Sequence, residues 1–284
     1  MDSQTPSLRV PGMTAQPLDF LVIGAQKAGT TSLHNYLGLH PNILLPRRKE
    51  LHFFDNEHIW RGVTAQISYQ SYNSLLEDDP GRRQLILNKA TDPAYRRGEV
   101  TPIYMYWYPC LERIQAYNPN IKLIMVLRNP ITRALSHYRM ELARNAETLD
   151  LWHALNTEPQ RLAAEPHRQH RVYSYADRGF YTRQIARVRQ LFPSQQLLVV
   201  LSDDLDYDKV ATLNKLCNFL GLDGIYGEAM LPKLARHHVG SGKVGCSSRE
   251  LDFLKNLFAG EIGALSRLLG RDLSHWLEVE ADTI

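Results

Sequence analysis

The chain has 284 residues, 44% of them hydrophobic, and a formal net charge of +3. It is long enough to bury one sizeable core and too weakly basic to suggest a nucleic-acid partner. No apolar run approaches the roughly 18–20 residues of a membrane span and residues 1–17 lack a signal-peptide pattern, so the chain is expected in the cytoplasm. Cys110, Cys217 and Cys246 are odd in number and widely spaced, which suits neither a disulfide framework nor a paired-thiol metal site.

Residues 1–17, rich in Ser, Thr, Pro and Gln, read as a disordered leader, and residues 18–284 as a single domain. DFLVIGAQ is a short apolar strand that stops at Gly24, and TTSLHNYLGLHP places Leu33, Tyr36 and Leu37 at helical spacing before Pro41. The stretch 47–119, with RRKELHFFD, GRRQ and the aromatic cluster TPIYMYWYP, is expected as loops and short helices over the sheet edge, a usual place for substrate contacts. IKLIMVLRNP is a second strand ending at a basic residue and a proline, followed by the helical pattern ITRALSHYRMELARN. QQLLVVLSDDL, residues 195–205, is a third strand, preceding a helix in DYDKVATLNKLCNFLGL that Gly221 closes. SSRELDFLKNLFAGEIGALSRLLGRDLSHWL reads as an amphipathic helix or helix pair ended by a glycine and a docked Trp276. Strands alternating with helices imply an α/β fold, a parallel sheet with helices on both faces and ligands bound beyond the strands' carboxyl ends.

The first strand and helix enclose a glycine loop. In the common nucleotide-phosphate loop, G-x-x-x-x-G-K-[ST], a lysine after the second glycine reaches the β and γ phosphates and the next hydroxyl binds magnesium. Here Gly24 and Gly29 keep the glycine spacing, but Thr30 fills the lysine slot and Lys27 projects from mid-loop. Amides at the start of the next helix can still cradle a phosphate. The second strand ends in Arg128 rather than an acidic metal ligand, so the site is expected to hold an anion without a metal. A strand-end arginine with a hydroxyl at Ser136 on the next helix suits a terminal phosphate.

GAQKAGTTSLHNYLGLHPNI together with KLIMVLRNPITRALSHYRM resembles the two cofactor-binding motifs of the sulfotransferases that use 3′-phosphoadenosine 5′-phosphosulfate and release adenosine 3′,5′-bisphosphate. KELHFFD, GEVTPIY, RGFYTRQIARVRQLFP, LSDDL…LCNFLGL and LGRDLSHWL extend the resemblance over nearly the whole chain from residue 18, nearest to the heparan-sulfate-type branch and its bacterial relatives. It implies a P-loop-NTPase-like central parallel sheet flanked by helices. It also implies that Gln26, Lys27, Ala28, Gly29, Thr30, Thr31 and Ser32 wrap the 5′-phosphosulfate, that Arg128 and Ser136 hold the 3′-phosphate, and that Tyr181 lies near the donor. A glycine and lysine loop, Gly242 and Lys243 in GSGK, would cover it.

By the same resemblance Glu50 is the catalytic base, His52 supports the sulfuryl group or shares the base role, and Lys27 neutralises the leaving oxygen. Were KELHF extended, the Glu50 and His52 side chains would share one face. Glu99 matches an acid near the acceptor, although Val100 stands where some relatives carry a lysine; Tyr104 and His238 are further acceptor contacts. His237 and His238 without a third ligand make a weak metal site, and no metal is expected. Tyr104, Tyr106, Trp107 and Tyr108 either line an apolar or sugar-stacking pocket or belong to the core. Arg47, Arg48, Arg82 and Arg83 either meet an acidic partner, such as a carrier protein or anionic glycan, or are simply solvated.

The expected activity is sulfuryl transfer to an acceptor hydroxyl, or an amine, of a small molecule, a carbohydrate or a carrier-tethered acyl chain, in a bacterial cytosolic enzyme of secondary metabolism. The loop spacing alone would also suit a metal-dependent NTP-using kinase. A non-catalytic nucleotide-binding module is the third reading, against which the retention of Lys27 and Glu50 speaks.

Overall fold

The computed structural model describes residues 17–60, 89, 92–234 and 245–280. Its centre is a parallel five-stranded sheet flanked by helices. In chain order come β1 (Phe20–Gly24), α1 (Thr30–Leu37), β2 (Ile43–Leu44), α2 (Glu57–Trp60), β3 (Arg96–Val100), α3 (Cys110–Tyr117), β4 (Lys122–Leu127), α4 (Pro130–Ala143) and α5 (Leu151–Ala163). They are followed by α6 (Tyr181–Leu191), β5 (Leu197–Leu201), α7 (Ser202–Tyr207), α8 (Lys209–Leu220) and α9 (Ser248–Leu269).

The strand order is β2-β3-β1-β4-β5, every pair parallel. FLVIG of β1 is buried along its whole length, and KLIMVL of β4 is buried beyond its first residue, as strands covered on both faces must be. After β1 the chain winds to one side through β2 and β3, then crosses to the other through β4 and β5. The carboxyl ends of the neighbours β1 and β4 therefore form the switch point where such sheets bind ligands. The glycine loop follows β1 and Arg128 follows β4, so topology alone brings the two motifs together.

Local chemistry sets the helix ends. Asn129 caps α4 by accepting from the Ile131 amide at 2.9 Å, with Pro130 at the first helical position. The same Asn129 side chain donates to the Trp276 carbonyl at 2.7 Å, which ties the carboxyl-terminal docking element to the start of the motif helix. Gly221 at φ 73° and Gly270 at φ 64° close α8 and α9 in the left-handed conformation. The single 22-residue α9 opens on a Ser247–Glu250 capping box. Trp276 is 2% exposed and its indole N–H donates to Asp203 at 2.7 Å. Among the described residues no helix is long and apolar enough to cross a membrane.

Two parts of the sequence expectation change. The stretch 47–119 is not only loops and short helices: besides the short helices α2 and α3 it contributes β3, an interior strand beside β1. RRGEV carries no strand pattern because its burial is polar. Arg97 donates from its main chain to Asp19 at 2.7 Å and from its guanidinium to the Pro17 carbonyl at 2.7 Å, while Gly98 leaves room for the Phe20 ring against it. The strand read over 195–205 stops at Leu201, where Ser202 begins a short helix whose Asp204 carboxylate accepts from the Leu201 amide at 3.2 Å.

Candidate active site

The loop after β1 is held from both sides. The Ala25 amide donates to Val126 of β4 at 2.7 Å, and the Met105 amide donates to Ile23 at 2.9 Å. Lys27 at φ 71° and Gly29 at φ 90° are both left-handed. At Gly29 this conformation is natural, and a Cβ there would point into open space; at Lys27 it is a local strain. α1 begins with no side-chain cap and no acid in its first turn, so its leading amides and positive dipole end face the loop's interior.

Cations gather on this cradle. The half-buried Lys27 has its pKa lowered, first by burial and then by the Arg144 and Arg128 charges, with Glu141 and Glu50 acting in the opposite sense. Arg128 donates to the Lys27 carbonyl at 3.2 Å and to the Thr132 hydroxyl at 3.0 Å. Thr132 lies one helical turn before the half-buried Ser136 on the same face of α4. Tyr181 is fully buried and donates to the Arg128 carbonyl at 2.8 Å, which places it behind the arginine. Gln26 accepts from Arg178. That guanidinium is 3% exposed, and burial lowers its pKa to about 10.

A second cluster stands on the loop between β2 and α2. Glu50 and His52 are left-handed at φ 62° and 54°, so the extended case in which they would share one face does not apply, because the segment bonds to other partners than a ladder. The Glu50 amide donates to the Val100 carbonyl at 3.1 Å and the Leu51 amide to the Glu99 carboxylate at 3.2 Å. The two side chains nevertheless meet: His52 Nε2 lies 3.6 Å from Glu50 Oε2, while Lys49 pairs with Oε1. The far ring nitrogen, Nδ1, lies 3.0 Å from Asp55, whose 1% exposed carboxylate also takes Arg171 at 2.5 Å.

Hydrogen bonds to Asp55 and then Glu50 raise the His52 pKa to about 9. Burial pushes Glu50 up, but the His52 hydrogen bond and the Lys49 charge outweigh it and hold the carboxyl at about 2. At neutral pH the pair is thus a carboxylate beside an imidazolium.

Glu99 and Tyr104 are 1% and 0% exposed. Glu99 accepts from Thr101 and, at 3.1 Å, from Tyr104, and the Tyr104 oxygen accepts from the Phe53 amide at 3.0 Å. They brace the Glu50–His52 loop from behind instead of forming an acceptor surface. Tyr106 is likewise buried and Tyr108 exposed, so the aromatic cluster is mostly core. Gly242, Lys243, His237, His238, Arg82 and Arg83 lie outside the described residues.

Asp55, Arg171 and Arg178 were not singled out from the sequence. For Asp55 the His-x-x-Asp spacing of HFFD was the available signal; the arginines join the site only through tertiary contacts.

The residues present fit the 3′-phosphoadenosine 5′-phosphosulfate donor: the open left-handed Gly29, the uncapped α1 amides and two flanking cations suit a multiply charged phosphate ligand. Comparison with known proteins agrees in kind. A sulfotransferase of Alicyclobacillus acidocaldarius superposes with a TM-score of 0.68 at 25% identity, covering 92% of this chain and 99% of that one. The sulfotransferase domain of the Synechococcus PCC 7002 olefin synthase shares the fold, with a TM-score of 0.50 at 18% identity over 91% of this chain and 98% of its own. Human heparan sulfate glucosamine 3-O-sulfotransferase 5 is 28% identical over 71% of this chain and 53% of its own length. The human bifunctional heparan sulfate N-deacetylase/N-sulfotransferase 2 is 29% identical over 72% and 22%. The chain thus spans about half of the first relative and about a fifth of the second. The sulfotransferase family model matches residues 19–226, a span that holds the glycine loop, the Glu50 cluster and the Arg128 helix start, and this chain therefore belongs to the sulfotransferase family.

Proposed function

We propose that the chain transfers a sulfuryl group from 3′-phosphoadenosine 5′-phosphosulfate to an acceptor hydroxyl. The observation that carries this reading is the anion cradle after β1, where the open left-handed Gly29 and the uncapped amides of α1 lie beside Lys27, whose carbonyl Arg128 holds at 3.2 Å. In this reading Lys27 would serve the leaving oxygen and Glu50 the acceptor proton.

The donor supplies an activated sulfuryl group on a phosphate leaving group. Loop amides with Thr30, Thr31 and Ser32 would hold its 5′ end, and Arg128 with Ser136 its 3′-phosphate. Lys27 would neutralise charge building on the bridging oxygen, and a desolvated ammonium does so more strongly than a hydrated one. Glu50 would accept the acceptor's proton. Lys49 pairs with Oε1 and His52 lies 3.6 Å from Oε2, and each carboxylate oxygen keeps a lone pair for the incoming hydroxyl. His52 enters as an imidazolium and supports the sulfuryl oxygens rather than acting as the base. The acceptor class that fits the relatives' names is a glycan, with an amine as the alternative nucleophile; small molecules and carrier-tethered chains are the other candidates.

Calorimetric titration with adenosine 3′,5′-bisphosphate and, separately, with ATP and magnesium, repeated on Arg128→Ala, tests the reading. Metal-independent binding of the bisphosphate that Arg128→Ala weakens is the expected result. Binding of ATP only with magnesium would overturn it in favour of phosphoryl transfer.

A further inference from the structure

We propose that the cavity between α5, the amino end of α6 and α9 is a second ligand site, for an amphipathic anion: a small molecule with a hydrocarbon body and a terminal carboxylate or sulfate. The inference does not depend on the transfer reaction. None of the loop residues 24–32, the Glu50–Asp55 segment or the Arg128–Ser136 turn lines this cavity.

The cavity has a volume of about 530 Å³, within the range of small-molecule sites. Its walls are apolar, with Leu155, Leu162, Phe180, Phe253 and Leu257 facing one another and Met105 among them. Leu257 is 36% exposed, although it belongs to the otherwise well-packed α9. Hydrocarbon placed here would cover surface that the fold itself leaves uncovered.

The polar groups are arranged by sign. Arg168, Arg183 and Arg187 also line the cavity, against Asp177 and Glu158. Arg183 pairs with Asp177 at 2.5 Å and Arg187 with Glu112 at 2.5 Å; exposed pairs of this kind are weak, so an incoming anion can compete for either arginine. Arg168 is exposed and no ion pair of its guanidinium occurs among the described residues. Glu158 is 3% exposed, and its carboxylate accepts from the Ala176 and Asp177 amides, each at 2.8 Å, which fixes the turn forming one wall. Burial pushes that carboxyl up to about 7, so its opposition to an anion is partial at neutral pH. The rim is a built feature: His167 and Arg168 are consecutive left-handed residues at φ 59° and 55°, and the His167 ring packs on Tyr108 at 4.1 Å.

Tyr106 lines the cavity and carries the Arg178 guanidinium 4.9 Å from its ring centroid, and Arg178 donates to Gln26. One ring and one guanidinium thus connect the cavity to the phosphate loop while keeping the two sites distinct.

The test is calorimetric titration of the full chain with decanoate, decyl sulfate and neutral decanol, with and without saturating adenosine 3′,5′-bisphosphate. The variants are Leu162→Trp and the half-exposed Leu257→Trp, which fill the cavity, Arg168→Glu at its rim, and Lys27→Ala as a control outside it; thermal melts check folding. Saturable binding of at least one anion is expected, about tenfold or more tighter than decanol, weakened about tenfold or more by either tryptophan and severalfold by Arg168→Glu. Lys27→Ala and the bisphosphate should leave it unchanged. The preferred anion separates a carboxylate from a sulfate ester as the source. No saturable binding, displacement by the bisphosphate, or unaltered binding in Leu257→Trp overturns the site; equal binding of decanol overturns its anionic class.

Discussion

Tyr181 donates its phenolic hydroxyl to the main-chain carbonyl of Arg128 at 2.8 Å, so a fully buried tyrosine on α6 fixes the residue that follows β4. Burial pushes the phenol up to about 12, and it remains a donor at all working pH values. Tyr181→Phe removes the partner of that carbonyl, an expected loss of about 1–3 kcal/mol in stability. Bisphosphate affinity should fall about five- to tenfold if, as proposed, the Arg128 fork thus held binds the 3′-phosphate. Thermal melts and calorimetry read the two effects separately; full affinity in a destabilised protein would show that Arg128 is placed without Tyr181.

Lys27 should separate activity from stability in the opposite way. Its charge is half-buried and sits among the cations Arg144 and Arg128, and its backbone is left-handed at φ 71°. Lys27→Ala therefore removes a desolvated like charge and is expected to leave Tm unchanged or slightly raised. Donor turnover, followed as release of bisphosphate with water as acceptor, should fall about 10²–10³-fold. A large drop in Tm would mean that Lys27 is structural.

Glu50 is expected to act as the base and not as a brace. Glu50→Gln keeps the side chain's size and loses its charge, so turnover should fall about 10²–10⁴-fold with bisphosphate affinity near normal. Turnover within a few-fold of the parent chain would remove Glu50 from the chemistry.

Much of this arrangement was legible because it is encoded locally. Gly24, Gly29 and the apolar runs of β1 and β4 announce a strand, a phosphate loop and a helix, and parallel topology then brings Lys27 to Arg128. Glu50 and His52 were found as a pair, although their meeting depends on left-handed backbone rather than on a strand's alternation. β3 was not found: RRGEV buries two charges through tertiary partners, Asp19 and the 51–53 loop, which no periodicity reveals. Glu99 and Tyr104 stand behind the loop for the same reason, since their sequence neighbours do not say which face of β3 meets it. Arg178 and Arg171 act on residues far away in the chain.

The glycines divide by what surrounds them. A Cβ at Gly98 would overlap the Phe20 ring inside the sheet, whereas one at Gly29 meets nothing. Gly98→Ala is expected to destabilise by about 1–3 kcal/mol or more through overpacking. Gly29→Ala should lose about 1 kcal/mol from its φ of 90° alone, yet weaken bisphosphate binding more than Gly98→Ala does, because the strain falls on the cradle. Chemical denaturation and calorimetry on the two variants should rank them in opposite orders; the same order in both would detach Gly29 from ligand binding.

The Glu50–His52 pair sets the pH response. His52 is raised from 6.5 to about 9, so its contribution to stability is complete below about 6.5 and is lost as pH rises through about 9. Glu50 is lowered from 4.5 to about 2, so its contribution is present above about 4.5 and is lost as pH falls through about 2. His52→Gln should therefore lower Tm more at pH 6 than at pH 10, by a modest margin because the His52 side chain is 43% exposed and solvent screens the pair. Donor turnover by the parent chain should be level across neutral pH and decline above about 9, where the imidazolium deprotonates, and His52→Gln should lack that decline. A rate that instead rises as pH passes through about 9 would mean that neutral His52 takes the proton, and would move the base from Glu50 to the histidine.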